Sequence, residues 1–201
     1  MTIESFAVTW DYRCPFARIG HEHLIDALEA GAPWDVTFVP YFLNVSHVAE
    51  GGPSAWEDTS HQPDLLALLV GIVVRDRFSE HFLAVHRRLF NLRHDEGGDL
   101  RSREVLSAAL AEVGVDPDAV WAEVDAGWPA EVARAEHEDV VGRLDVFGVP
   151  TFIVGDDAVF VRLMQRSGGD AAVARSTIDN VLGLMEHHPE INEFKHTQLK
   201  R

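Results

Sequence analysis

The sequence predicts an α/β fold in which a strand–helix–strand opening and a strand–strand–helix close are separated by a long helical middle. Three observations predict it. Residues 5–41 hold two strand-like runs on either side of a helical stretch. Apolar residues then recur at helical spacing from about Pro63 to Leu144. Two short apolar runs and a final amphipathic stretch follow, over residues 151–187.

Each element has a local cause. Ser5 to Trp10 alternates Phe6, Val8 and Trp10 with smaller residues, the period of a strand. Asp11-Tyr12-Arg13 makes the turn, Cys14 falls at the N-cap and Pro15 at the first helical position, where its missing N–H costs nothing. Ile19, Leu24, Ala27 and Leu28 carry the helix to Gly31, a C-terminal stop. Asp35 to Tyr41 is rich in β-branched and aromatic residues and reads as the second strand. A β-α-β opening implies parallel pairing with a right-handed crossover.

A loop with Gly51, Gly52 and Pro53 precedes the helical middle. There Phe78, Phe82, Val85 and Leu89 share one face, as do Val105, Ala109, Leu110 and Val113. Gly114 stops a helix, and Asp116-Pro117 starts the next with an acidic N-cap. Four or five helices are expected. Thr151 to Val154 and Ala158 to Arg162 then read as an antiparallel pair around Gly155-Asp156-Asp157. Gly168-Gly169-Asp170 leads into a last helix with Val173, Ile178, Val181, Leu182 and Met185 on its apolar face. The expected division is residues 1–55 and 146–188 for the two halves of the α/β unit, 56–145 for the helical insert, and 189–201 for a tail.

Composition narrows the partners. With 33 acidic and 17 basic residues the chain carries a net charge of −16, which repels phosphate backbones and anionic lipid, so neither nucleic acid nor a membrane surface is expected. The longest apolar stretch, Leu65 to Val74, is too short to span a bilayer. Met1 to Ser5 carries an acid where a secretory leader has basic residues. One cysteine excludes an intramolecular disulfide and a cysteine-rich zinc site. Together these point to a cytoplasmic, reducing setting, and a homodimer stays open.

The chemistry concentrates at two places. A cysteine at a helix N-terminus faces free N–H groups and the positive end of the helix dipole, so Cys14 is expected to be an accessible thiolate of lowered pKa. Arg13 beside it adds positive charge, and Asp11 opens the same turn as a second group able to tune the thiol. The alternative is a small buried hydrophobe. Late in the chain, Phe147-Gly148-Val149-Pro150-Thr151 sets a proline before an apolar strand. The Val149–Pro150 bond there is either cis, presenting the Val149 backbone, or an ordinary trans bond with the proline at a strand's first residue, which base rates favour.

The Asp11-x-x-Cys14-Pro15-Phe16 turn, paired with Gly148-Val149-Pro150-Thr151, resembles the DsbA-like thioredoxin family. The resemblance implies a thioredoxin-like fold with an inserted helical subdomain and a cis Val149–Pro150 bond facing the start of the Cys14 helix. It implies thiol–disulfide oxidoreductase chemistry at Cys14, with Pro15, Phe16, Val149 and Pro150 binding the thiol substrate. Within the family the chain looks most like the cytoplasmic actinobacterial branch of mycothiol-dependent reductases, to which the closing Pro189-x-x-x-Glu193-Phe194-Lys195 also bears some likeness. One departure matters. Dithiol members carry a second cysteine where this chain has Ala17, and a resolving thiol is what releases a mixed disulfide internally. A low-molecular-weight thiol, mycothiol or glutathione, then becomes the expected resolving co-substrate, with no tightly bound cofactor and no metal. Two other readings stay open. The related kappa-class glutathione transferases and 2-hydroxychromene-2-carboxylate isomerases place serine at the Cys14 position and bind a thiol cofactor. The scaffold also suits a non-catalytic binding module.

The 11 histidines are expected to be solvated or structural. His81 and His86 are five apart and do not stack on one helical face, and helical geometry places His21 two turns from Cys14. Trp121, Trp128, Phe78 and Phe82 are expected to pack the core.

Overall fold

The computed structural model describes residues 3–47, 54–193 and 195–198. Met1, the Gly51-Gly52-Pro53 loop and Phe194 lie outside the described residues. The order is β1 (Ser5–Trp10), α1 (Pro15–Glu29), β2 (Asp35–Pro40), then α2 (Gln62–Arg77), α3 (Phe82–His94), α4 (Arg103–Glu112), α5 (Pro117–Asp125) and α6 (Trp128–Leu144). The close is β3 (Thr151–Val154), β4 (Asp157–Phe160) and α7 (Ala171–His187). This is a mixed α/β, thioredoxin-like fold with an inserted helical subdomain.

The sheet runs β2-β1-β3-β4. β1 and β2 pair in parallel, while β3 is antiparallel to both β1 and β4. Val8, Trp10 and Phe152, all fully buried, lie on its inner strands. Burying an apolar side chain of this size contributes about 1.5–3 kcal/mol, so these residues anchor the sheet. α7 packs along α1, α2 is the hub for α3, α5 and α6, and α3 packs back on α1.

Capping explains the boundaries. Asp116 accepts from Asp118 N–H, Asp170 from Ala172 and Val173 N–H, and Ser102 from Val105 N–H. Gly31 at φ 86° ends α1 in the left-handed region that glycine enters without strain.

Three details differ from the sequence reading. The Phe78–Phe82 face is broken: α2 stops at Arg77, Phe78 takes an extended φ of −133°, and a single 3-10 turn precedes α3. β4 starts at Asp157 and ends at Phe160, so Arg162 lies in the connection beyond it. Val173 is 48% exposed rather than on the buried face of α7.

Candidate active site

β1 runs directly into the turn that carries the thiol. Cys14 N–H donates to the Asp11 carbonyl at 3.1 Å, closing the turn, and the Arg18 N–H donates to the Cys14 carbonyl at 3.0 Å as the helix begins. Cys14 has extended backbone and is the N-cap of α1, with Pro15 following. From the other half of the fold comes the segment before β3, where the Val149–Pro150 peptide bond is cis.

These segments meet at the sulfur. Cys14 Sγ donates to the Val149 carbonyl at 3.2 Å and accepts the Ala17 N–H at 3.4 Å. Pro150 is buried against α1 at Gly20, where an added Cβ would stand 3.1 Å from the proline Cγ. Thr9 ties β1 to the same segment: its hydroxyl donates to the Gly148 carbonyl at 3.3 Å and accepts the Thr151 N–H at 2.9 Å. Thr151 Oγ1 donates to that Gly148 carbonyl at 2.8 Å. Of the remaining residues singled out from sequence, Pro15 is exposed at the helix start and Phe16 is half-buried beside it.

The electrostatics reverse the expectation for Cys14. It is 8% exposed, and burial pushes its thiol above the ordinary value. The Ala17 and Phe16 N–H groups pull the other way, but desolvation outweighs them and the Asp11 charge adds to it. Cys14 is therefore a buried, neutral thiol at rest, not an accessible thiolate. Arg13 does not supply the expected bare positive charge. Its guanidinium is held by Asp11 at 2.9 Å, donates to Asn44 at 2.6 Å and lies 3.5 Å from Asp64. Asp11, buried, also accepts the Leu43 N–H at 3.1 Å, so it anchors the turn to the segment after β2.

A buried polar chain runs behind the site. His21 Nε2 contacts the Thr9 carbonyl at 3.0 Å, His21 Nδ1 contacts His86 Nε2 at 2.9 Å, and His86 Nδ1 contacts the Tyr12 hydroxyl at 2.8 Å. A carbonyl only accepts, so each proton in the chain is placed: Tyr12 donates to His86, His86 to His21, and His21 to Thr9. Both rings are neutral. Burial lowers His21 to about 4, and burial followed by the neighbouring His21 lowers His86 well below its usual value. The Tyr12 hydroxyl, pushed up by burial, stays protonated. α2 comes close enough to this hydroxyl that a Cβ at Gly71 would lie 2.5 Å from it. No group of histidine, cysteine and carboxylate side chains among the described residues is arranged to hold a metal ion.

Sequence reasoning missed Thr9, Gly20 and the Tyr12–His86–His21 chain. Thr9 carried a signal: it is a polar residue between the apolar Val8 and Trp10. The histidine chain joins residues 65 apart and had none.

A thiol at the first turn of a helix, facing the carbonyl before a cis-proline across a β2-β1-β3-β4 sheet, defines a thioredoxin-fold protein. A family model described as a DSBA-like thioredoxin domain matches residues 7–165, and the chain belongs to that family. No curated protein matches it. Among solved structures it is similar to a 2-hydroxychromene-2-carboxylate isomerase at 16% identity and a TM-score of 0.62, covering 90% of this chain and 97% of that one. It is similar to DsbA from Pseudomonas aeruginosa at 17% identity and a TM-score of 0.58, covering 93% and 86% respectively. The cytosolic disulfide reductase DsbM from the same organism aligns at 20% identity and a TM-score of 0.58, covering 90% and 99%.

The expected cytoplasmic setting is withdrawn, because the solved structures that share this fold are DsbA proteins as well as a cytosolic disulfide reductase, and the fold therefore assigns no compartment. The physical reason is simple: one cysteine reports the absence of an internal disulfide and does not report the compartment. Among the described residues, no helix is long and apolar enough to cross a membrane.

Proposed function

We propose that this protein is a thiol–disulfide oxidoreductase that works through Cys14 alone, with a low-molecular-weight thiol, glutathione or mycothiol, as resolving partner. The observation that carries the reading is the 3.2 Å contact between Cys14 Sγ and the Val149 carbonyl, which sets the sulfur at the backbone edge where an extended substrate would lie. In this reading Pro15, Phe16, Val149 and Pro150 bind the thiol substrate along that edge. The narrower likeness to mycothiol-dependent reductases belongs to this proposal.

The cycle balances without an internal partner. Cys14 loses its proton and attacks the small-thiol sulfur of a mixed disulfide R′–S–S–R. The S–S bond breaks, Cys14–S–S–R forms, and R′–S⁻ leaves and takes up a proton. A second R–S⁻ then attacks the R sulfur, giving R–S–S–R and restoring Cys14. The two electrons that reduce R′ come from two molecules of R–SH, one of which arrives already bound in the substrate. A raised thiol lowers the thiolate fraction at neutral pH but leaves each thiolate more nucleophilic, so the two effects partly offset.

A second reading is favoured by one observation: Sγ carries its proton and donates it. In an isomerase or transferase the same S–H would donate to the thiolate of a bound cofactor. Glutathione-dependent reduction of bis(2-hydroxyethyl) disulfide separates the two. The proposal expects turnover that Cys14→Ser abolishes. Isomerisation of an aromatic substrate that survives Cys14→Ser would replace it with the second reading, and neither activity would leave a binding module.

A further inference from the structure

Most guanidinium groups of this acidic chain are committed to carboxylates: Arg13 to Asp11, Arg75 to Glu136, Arg87 to Asp26, and Arg88 to Glu96 and Glu112. Arg162 is not. Among the described residues it makes neither an ion pair nor a hydrogen bond, and its guanidinium lies over the Phe16 ring, 5.3 Å from the centroid.

Its place is set from both sides of the site. Val161 N–H donates to the Pro150 carbonyl at 3.0 Å, which ties the connection after β4 to the cis-proline. Phe16 is two residues beyond Cys14 on α1. Arg162 is exposed, so its guanidinium is open to solvent beside Phe16. Two residues before Arg162 in the chain, the Phe160 ring lies 5.2 Å from that of Phe147, which is 70% exposed. A guanidinium stacked on a ring keeps its N–H edge free, and that edge matches a carboxylate in two-point fashion. Asp11, the acid whose charge acts on the thiol, is engaged by Arg13 and the Leu43 N–H. At a net charge of −16 the molecule repels anions, so a cation without a carboxylate partner here offsets that repulsion locally.

We infer that Arg162 is a carboxylate-binding residue of the small-thiol site, selecting a thiol of the glutathione class over uncharged mycothiol or a cationic thiol. This rests on the reading of Cys14 as the exchanging thiol.

The test measures the rate of mixed-disulfide formation on the full chain by intact mass, with three probes: oxidised glutathione (anionic), bis(2-hydroxyethyl) disulfide (uncharged) and cystamine (cationic). Rates for the first and last are normalised to the uncharged probe within each variant, which removes any general effect of a substitution on folding. Arg162→Glu is expected to lower the normalised glutathione rate by about tenfold or more and to raise the cystamine rate, with Arg162→Gln between. Added salt is expected to shrink the difference. Normalised rates that match across the three variants would overturn the Arg162 assignment while leaving Cys14 in place. Absence of any adduct on Cys14 in all variants would overturn the Cys14 reading and this inference with it.

Discussion

Replacing His86 with phenylalanine removes the middle of the buried polar chain and nearly preserves its volume. The surroundings suit an aromatic ring, since Trp10, Phe38, Phe82 and Phe90 all lie within 5.4 Å of the His86 ring centre. The cost is therefore not a cavity but two abandoned partners. The Tyr12 hydroxyl loses its acceptor and His21 Nδ1 loses its donor. A buried polar group left without a partner costs about 1–3 kcal/mol, so His86→Phe, which strands two, is expected to destabilise by roughly 2–6 kcal/mol. Tyr12→Phe leaves a single group without a partner, His86 Nδ1, and is expected to cost about 1–3 kcal/mol. The double variant leaves only His21 Nδ1 alone, so its cost falls below the sum of the two singles. Urea unfolding of the four proteins, followed by far-UV dichroism, gives the cycle. A His86→Phe cost under about 0.5 kcal/mol, or strict additivity, would refute the Tyr12–His86–His21 hydrogen-bond chain.

Stability should also depend on pH. In the fold His21 and His137 are lowered by burial to about 4, so between there and 6.5 the unfolded chain binds more protons. Stability is full above 6.5 and is lost as pH falls towards 4, by about 3 kcal/mol for His21 alone; calorimetric Tm values that stay level from pH 7 to 5 would contradict this. Alkylation of native Cys14 is expected to inflect above the ordinary thiol range, and Asp11→Asn to move the inflection down, because burial and the Asp11 charge both raise it. An inflection below that range would restore the accessible thiolate. Ala17→Cys is expected to give an internal disulfide, since Ala17 N already lies 3.4 Å from Sγ; two thiols still titratable after oxidation would count against it. Thr9→Val is expected to cost about 1–3 kcal/mol by stranding the Thr151 N–H, and an unchanged urea midpoint would show that contact to be idle.

What the sequence made legible was what short stretches of chain decide. The alternation over Ser5–Trp10, Pro15 after an N-cap, and Asp116-Pro117 each fix a boundary within a few residues. The Cys14 and Val149-Pro150 motifs were also readable, because each sits at the mouth of its own strand. The state of the thiol was not. Dipole and N–H arguments apply to an open helix end, whereas here Val149 closes over the sulfur from 135 residues away. Arg13 shows the same division: its partner Asp11 is two residues off, but Asn44 and Asp64 reach it only through the fold. Arg162 was read as the end of a strand, and its position over Phe16 depends on where β4 stops.

The central claim is that Cys14 exchanges with a disulfide although it is buried and neutral at rest. Intact mass of the native protein after incubation with oxidised glutathione, and separately with oxidised mycothiol, tests it most directly. The account predicts one adduct per chain, mapped to Cys14, absent in Cys14→Ser and released by addition of the free thiol. A native protein that gains no adduct from either disulfide, while the urea-unfolded chain gains one readily, would contradict it and leave Cys14 as a packing residue.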